Sequence, residues 1–191
     1  LADSLMREQW THNTFIGGSI HKSTGKWFHF GVNGEVCLLG YKLGQFHVKG
    51  DADFRIPIAK DTMGIRVWAF VRSDKPHQYL KEYASNHFQW RNDFSQVFRF
   101  RVGGEVAYPT RWVKPSVKID FENITNLIYF NEQGMPTQRE GNAQVFAADV
   151  RCDLTTPWVN LENHVVYQAA SRELPVPAFT LYHNLYYHGT W

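Results

Sequence analysis

Five basic residues fall within one short stretch: Arg99, Arg101, Arg111, Lys114 and Lys118. Glu105 is the single acid among them, which leaves a local excess of four positive charges against +2 for the whole chain. Arg99 and Arg101 alternate with Phe98, Phe100 and Val102. Side chains alternate across a strand, so a strand here would carry guanidinium groups on one face and an apolar stripe on the other. Tyr108 and Trp112 interleave with the later cations. Cations neutralise phosphates, and aromatic rings stack on unpaired bases. The expectation is a nucleic-acid contact made by Arg99, Arg101, Arg111, Lys114 and Lys118, with Trp112 as a stacking partner. The competing reading is an ordinary solvated strand face whose acidic partners lie elsewhere in the fold.

Other reactive side chains give weaker signals. Asp51 and Asp53 lie two apart, as paired carboxylates for acid–base or metal chemistry do. Gly50 precedes them, so a loop start is the competing reading. The nine histidines are scattered, with no H-E-x-x-H and no Cys pair at zinc spacing. Cys37 and Cys152 are too few for a disulfide framework and read as two free thiols or one long-range bridge. No phosphate-binding loop, dinucleotide fingerprint or nucleophile elbow appears. The chemistry points to binding without catalysis, with no metal and no cofactor.

The elements that must position these residues are short β-like runs punctuated by turn residues. The predicted strands are 13–20, 26–32, 36–49, 54–58, 64–72, 93–102, 111–121, 127–130, 144–152, 164–169 and 179–187. Asn33-Gly34 is a hairpin signal. Pro115 marks its strand as an edge or a bulge. The one helix candidate is 76–85, with Pro76 in its first turn, Asp74 as its cap and an apolar stripe of Tyr79, Leu80 and Tyr83.

The last strand is the most informative. Phe179, Leu181, His183, Leu185 and Tyr187 share one face, which suits a core. Thr180, Tyr182, Asn184 and Tyr186 share the other with His188, an uncharged aromatic surface that another element should cover. At 191 residues the chain is expected to be one domain, 1–191, in an all-β antiparallel architecture. No apolar run approaches the roughly 18 residues that span a membrane as a helix, so no membrane partner is expected. The first ten residues include Arg7 and Glu8 and do not form a signal peptide.

Two resemblances extend this reading. Asn123–Phe130 leads into a polar loop, followed by Glu162-Asn163-His164-Val165-Val166-Tyr167 and a closing aromatic strand. This order resembles the coat proteins of small single-stranded DNA viruses, of the geminivirus and circovirus type. Arg66–Arg72 followed by Ser73-Asp74-Lys75-Pro76 is similar to their strand-to-helix passage. The resemblance implies an eight-stranded jelly-roll sandwich with one short helix, assembling with copies of itself into an icosahedral shell around a nucleic-acid genome, expected to be DNA. It implies a virion location, with the host nucleus as the place of assembly. Tyr182 and Tyr186 become candidate subunit contacts. Separately, Gly25-Lys26-Trp27 resembles the G-x-W of lipocalins, which implies the alternative of a secreted barrel or sandwich binding a small apolar ligand or a glycan. A sandwich hydrolase built on Asp51 and Asp53 is a third reading.

Overall fold

The computed structural model describes residues 12–187 and 189. In chain order the elements are β1 (Asn13–Lys22), β2 (Phe28–Gly40), β3 (Phe46–Ile58), β4 (Asp61–Asp74), α1 (Gln78–Lys81), β5 (Glu82–Ala84) and β6 (Gln89–Arg91). They continue with β7 (Val97–Ala107), β8 (Val113–Thr125), β9 (Ile128–Phe130), β10 (Pro136–Gln138), β11 (Asn142–Thr155), β12 (Val159–Ala170) and β13 (Phe179–Tyr187). Nine of the strands form one antiparallel sheet in the order β1-β2-β3-β4-β7-β8-β11-β12-β13. Each strand of that sheet pairs with its neighbour along the chain once the two small hairpins β5–β6 and β9–β10 are set aside.

The all-β, antiparallel expectation is met. The eight-stranded jelly roll is not: a jelly roll stacks two sheets of interleaved order, whereas the described residues form one long meander. Within the described residues, β1 and β13 each have a sheet neighbour on one side alone.

Several local expectations shift for physical reasons. Asn33 and Gly34 lie inside β2, paired with Lys49 and Val48, because both flanks continue the same alternation. The chain turns instead at 41–45, with positive φ at Gly44 and at Gly40, the last residue of β2. Asp51 and Asp53 lie inside β3 rather than at a loop start. The helix shrinks to the single turn of α1, capped by His77 rather than Asp74. Tyr83 joins β5 and stacks on Trp90 of β6 at 4.7 Å. Pro115 lies in an interior strand. Its carbonyl accepts from Tyr108 N, so its missing N–H faces the side where the β7 ladder has already ended at Ser116.

The register sorts the side chains of all nine strands onto two faces. Opposite partners share a face, so Val48 joins Val71, and Val71 joins Phe100. Val102 likewise joins Phe121, and Phe121 joins Phe146. This face is mainly apolar from β1 to β13, with Asn123, Gln144, Asn163 and His183 among its polar members. The other face holds every charged residue of the nine strands except Lys22 and Asp61, both at strand ends. Burial runs the wrong way for a water-soluble sheet. Along β7, Phe98, Phe100 and Val102 are exposed while Arg99 and Arg101 are half-buried. The buried apolar side chains among those described are few: Cys37, Pro76, Ile124, Pro136 and Ala143. The accessible surface is 13779 Å², against roughly 9,400 Å² for a compact monomer of this mass. The expected core face of β13 is part of this bare surface, with Leu185 69% exposed.

Candidate functional site

The charged face is where chemistry can happen, and its rows run across the strands. Asp53, Arg66, Glu105, Lys118 and Asp149 lie directly opposite one another on β3, β4, β7, β8 and β11. Their signs alternate along the whole row, so each charge is flanked by opposite charges. Arg66 Nε donates to Asp53 Oδ1 at 2.7 Å.

The neighbouring row centres on Asp120. Trp68 lies opposite Gly103, and Gly103 opposite Asp120. With no side chain between them, Trp68 Nε1 reaches over β7 and donates to Asp120 Oδ1 at 2.9 Å. Arg101 Nε donates to the same oxygen at 3.1 Å, and Lys118 Nζ approaches the other oxygen at 3.2 Å. A carboxylate stripped of water needs such donors, because burying an unpaired charge is costly. Lys118 also sits 5.4 Å from the centre of the Trp68 ring. Further along, Arg99 Nε donates to Glu122 Oε1 at 2.7 Å, and Arg72 pairs with Asp74. Arg72 and Arg99 are direct opposites. Two like charges there would repel, and each guanidinium is instead turned to its own carboxylate.

Toward β13 the pattern continues with weaker charge. His164 Nε2 lies 2.7 Å from Asp149 Oδ2, outside hydrogen-bond geometry. Glu162 collects three donors from β13: Tyr182 Oη at 3.3 Å, Asn184 Nδ2 at 3.3 Å and Tyr186 Oη at 3.4 Å.

Glycine packing tells the faces apart. A Cβ at Gly17 would lie 2.8 Å from Gly34 O, and one at Gly31 would lie 2.8 Å from His21 Nδ1. Both belong to the charged face. On the apolar face, a Cβ at Gly34, Gly50 or Gly104 would approach nothing closer than 3.6 Å, and Gly18 is open. Gly64, toward the short-turn end of β4, is open on the charged face, with nothing nearer than 4.0 Å; elsewhere the glycines of the charged face are crowded and those of the apolar face loose.

The two ends of the sheet differ as well. The turns 23–27, 59–60, 108–112 and 156–158 are short and lie at one end. Three of the four carry an exposed tryptophan: Trp27, Trp112 and Trp158. The connections at the other end include the two long excursions 75–96 and 126–141. These fold back on each other: Trp90 meets Phe130 at 6.4 Å, and Ser95 and Gln138 exchange two hydrogen bonds of 2.9 Å.

The residues singled out from the sequence separate accordingly. Arg99, Arg101, Lys114 and Lys118 share the charged face. Arg99, Arg101 and Lys118 are each paired with Glu122 or Asp120. The basic stretch had been bounded at Lys118, two and four positions short of the acids that neutralise it. Arg111 stacks on Trp112, 4.6 Å from its ring, in the turn 108–112. Tyr182 and Tyr186 sit together on the edge strand β13. Sequence reading missed Arg66, Trp68, Arg72, Asp120, Glu122 and Glu162, although period-two alternation in β4 and β8 marks the first five. Cys37 and Cys152 are free thiols. Among the described residues no three His, Cys, Asp or Glu side chains are placed to hold a metal ion.

The family model described as "Putative porin" matches residues 3–191. No curated protein matches the chain. The family finding overturns the coat-protein resemblance and what it implied: the self-assembling shell, the packaged DNA, the virion and the host nucleus. It equally removes the lipocalin-like alternative. The expectation of no membrane partner falls too, because it weighed helical spans alone. No described helix is long and apolar enough to cross a membrane, which says nothing about crossing with strands.

Proposed function

The chain belongs to that porin family, and from this premise we propose that its nine-stranded sheet is wall of an outer-membrane pore for small polar solutes. The observation that carries the reading is the inverted burial at the centre of the sheet: the apolar face is bare, while Arg99, Arg101, Lys118, Asp120 and Glu122 are tucked against one another. Lipid is the solvent that suits the first face, and a water-filled lumen suits the second. The crowding at Gly17, Gly31 and Gly103 fits a charged face on the concave side of a curved wall.

Other features support the same reading. Strands of 9 to 14 residues are long enough to cross hydrocarbon at a tilt. Trp27, Trp112 and Trp158 fit one interfacial aromatic girdle. Short turns at that end fit the periplasmic side, and the long excursions at the other end fit the outside. Hydrocarbon leaves no tolerance for an unpaired strand edge. β1 and β13 run in the same direction, being the first and ninth strands of an antiparallel meander. An antiparallel barrel therefore closes between them through an odd number of further strands. The reading assigns the chain no catalytic step.

Reconstitution tests this. The purified protein is added to a planar bilayer bathed in potassium chloride. Discrete, repeatable conductance steps are expected. Membrane-inserted protein that gives no steps, or protein that never inserts, would overturn the proposal.

A further inference from the structure

We infer that this pore favours anions, and that Arg72, Arg99 and Arg101 form the patch that small phosphate- or carboxylate-bearing solutes meet on the lumen wall. The inference rests on the porin reading and adds the sign of the solute.

Formal charge does not give this result, because cations and carboxylates on the charged face nearly balance. Depth does. Arg101 keeps 36% of its side-chain surface and Lys118 39%, whereas their shared partner Asp120 keeps 10%. Arg99 keeps 34% against 13% for Glu122. The same order holds for Arg72 over Asp74 and for Arg66 over Asp53. In all these pairs the carboxylate lies at the sheet and the cation lies over it.

Over these pairs a solute therefore meets guanidinium and ammonium groups first. A carboxylate of Asp120's kind is already committed to Trp68, Arg101 and Lys118. Each guanidinium has five donors in a rigid fork. Arg99 and Arg101 reach their carboxylates through two nitrogens each, Nε and a terminal NH₂, so donors remain for a second anion. Arg72 and Arg99 are direct opposites, and Arg101 is the next residue on the same face of β7. Lys49 of β3 lies across from Phe70, beside the same patch. Three forks on adjacent positions of two strands match the oxygens of a phosphate or carboxylate. Rings of Arg and Lys set the preference of anion pores in the same way.

The test uses the reconstituted protein in a potassium chloride gradient. The wild-type reversal potential is expected on the chloride side, and inorganic phosphate is expected to reduce the chloride current. In the Arg72→Gln/Arg101→Gln variant the reversal potential should move at least roughly halfway to zero, and block by phosphate should weaken several-fold. The Arg72→Lys/Arg101→Lys variant should keep the chloride-side sign. A conducting wild type that is unselective or prefers potassium overturns the inference, as does a conducting glutamine variant with unchanged reversal potential. Should the glutamine variant fail to fold, a wild-type current indifferent to phosphate overturns it alone. A wild type with no conductance fails the porin reading instead, so the two failures are distinguishable.

Discussion

Lys118 and Ile119 are neighbours in β8 with opposite surroundings. Lys118 is held against Asp120 and over the Trp68 ring. Ile119 projects from the opposite face, half exposed, between Gly104 and Ala148. In a protein dissolved in water the charged side chain would be the free one and the isoleucine the packed one. The same reversal runs along β7, where Phe98, Phe100 and Val102 are exposed and Arg99 and Arg101 are not. It teaches that a β-sheet shows which solvent it was built for by how tightly each face is packed, as well as by composition. Charges are expensive to leave alone near low-dielectric material, so they are cross-linked into rows. Apolar groups facing lipid gain little from touching one another, so they stay apart.

The sharpest way to break this comparison is to put a charge on each side. Ile119→Arg should destabilise the protein in a bilayer by about 2–4 kcal/mol, the cost of a cation near the hydrocarbon midplane. The same residue change at an exposed site in water would fall within about 0.5 kcal/mol. Lys118→Gln should cost no more than about 1 kcal/mol, because Asp120 keeps Trp68 and Arg101. Urea titration of the protein folded into lipid vesicles measures both. Equal, small effects would mean that the Ile119 face meets water.

A smaller effect separates two adjacent glycines. A Cβ at Gly103 would lie 2.5 Å from Trp68 Nε1 and closer still to Asp120 Oδ1, while one at Gly104 would lie 3.6 Å from Arg66 O. Gly103→Ala should therefore push Trp68 off Asp120 and cost about 1–3 kcal/mol, as overpacking does. Gly104→Ala should be neutral, or stabilising by up to about 1 kcal/mol through the unfolded chain. The same titration decides it. If the two variants behave alike, the charged face is less crowded than its geometry requires.

Much of the sheet was legible because alternation survives any solvent. β13 has the bounds read from the sequence, Phe179–Tyr187, and the Arg99/Phe100 alternation placed those side chains on the right faces. Alternation cannot say which face is wet, since a sandwich in water and a barrel wall in lipid share the same period. The apolar face of β13 was therefore taken for a core, and the basic strand for a surface awaiting nucleic acid. The acids that complete the charged site were hidden by chain distance. Glu122 lies 23 positions from Arg99, and Asp120 lies 52 from Trp68. Asn33-Gly34 misled because turn propensity is local, while the partners that hold it in β2, Lys49 and Val48, come from the next strand. The short helix expected over 76–85 is cut to Gln78–Lys81 by tertiary contact, because Tyr83 stacks on Trp90.

The two ends of the sheet give the smallest effect and the most direct look at depth. Trp158 is 67% exposed in a three-residue turn, whereas Trp90 is packed between Tyr83 and Phe130 in the long excursions. Sequence alone makes them equivalent, two tryptophans outside the main strands. If the short-turn end sits at a membrane interface, the Trp158 ring is anchored among headgroups, and Trp158→Ala should cost about 1 kcal/mol. The ring's position can be read without relying on that small number. In variants whose other tryptophans are replaced by phenylalanine, Trp158 fluorescence should be quenched by lipids brominated near the headgroup more than by lipids brominated near the chain end. Trp90 should respond to neither, because the excursion that carries it stands clear of the hydrocarbon. Equal quenching of the two would remove the distinction between the ends, and quenching of Trp90 alone would turn the wall upside down.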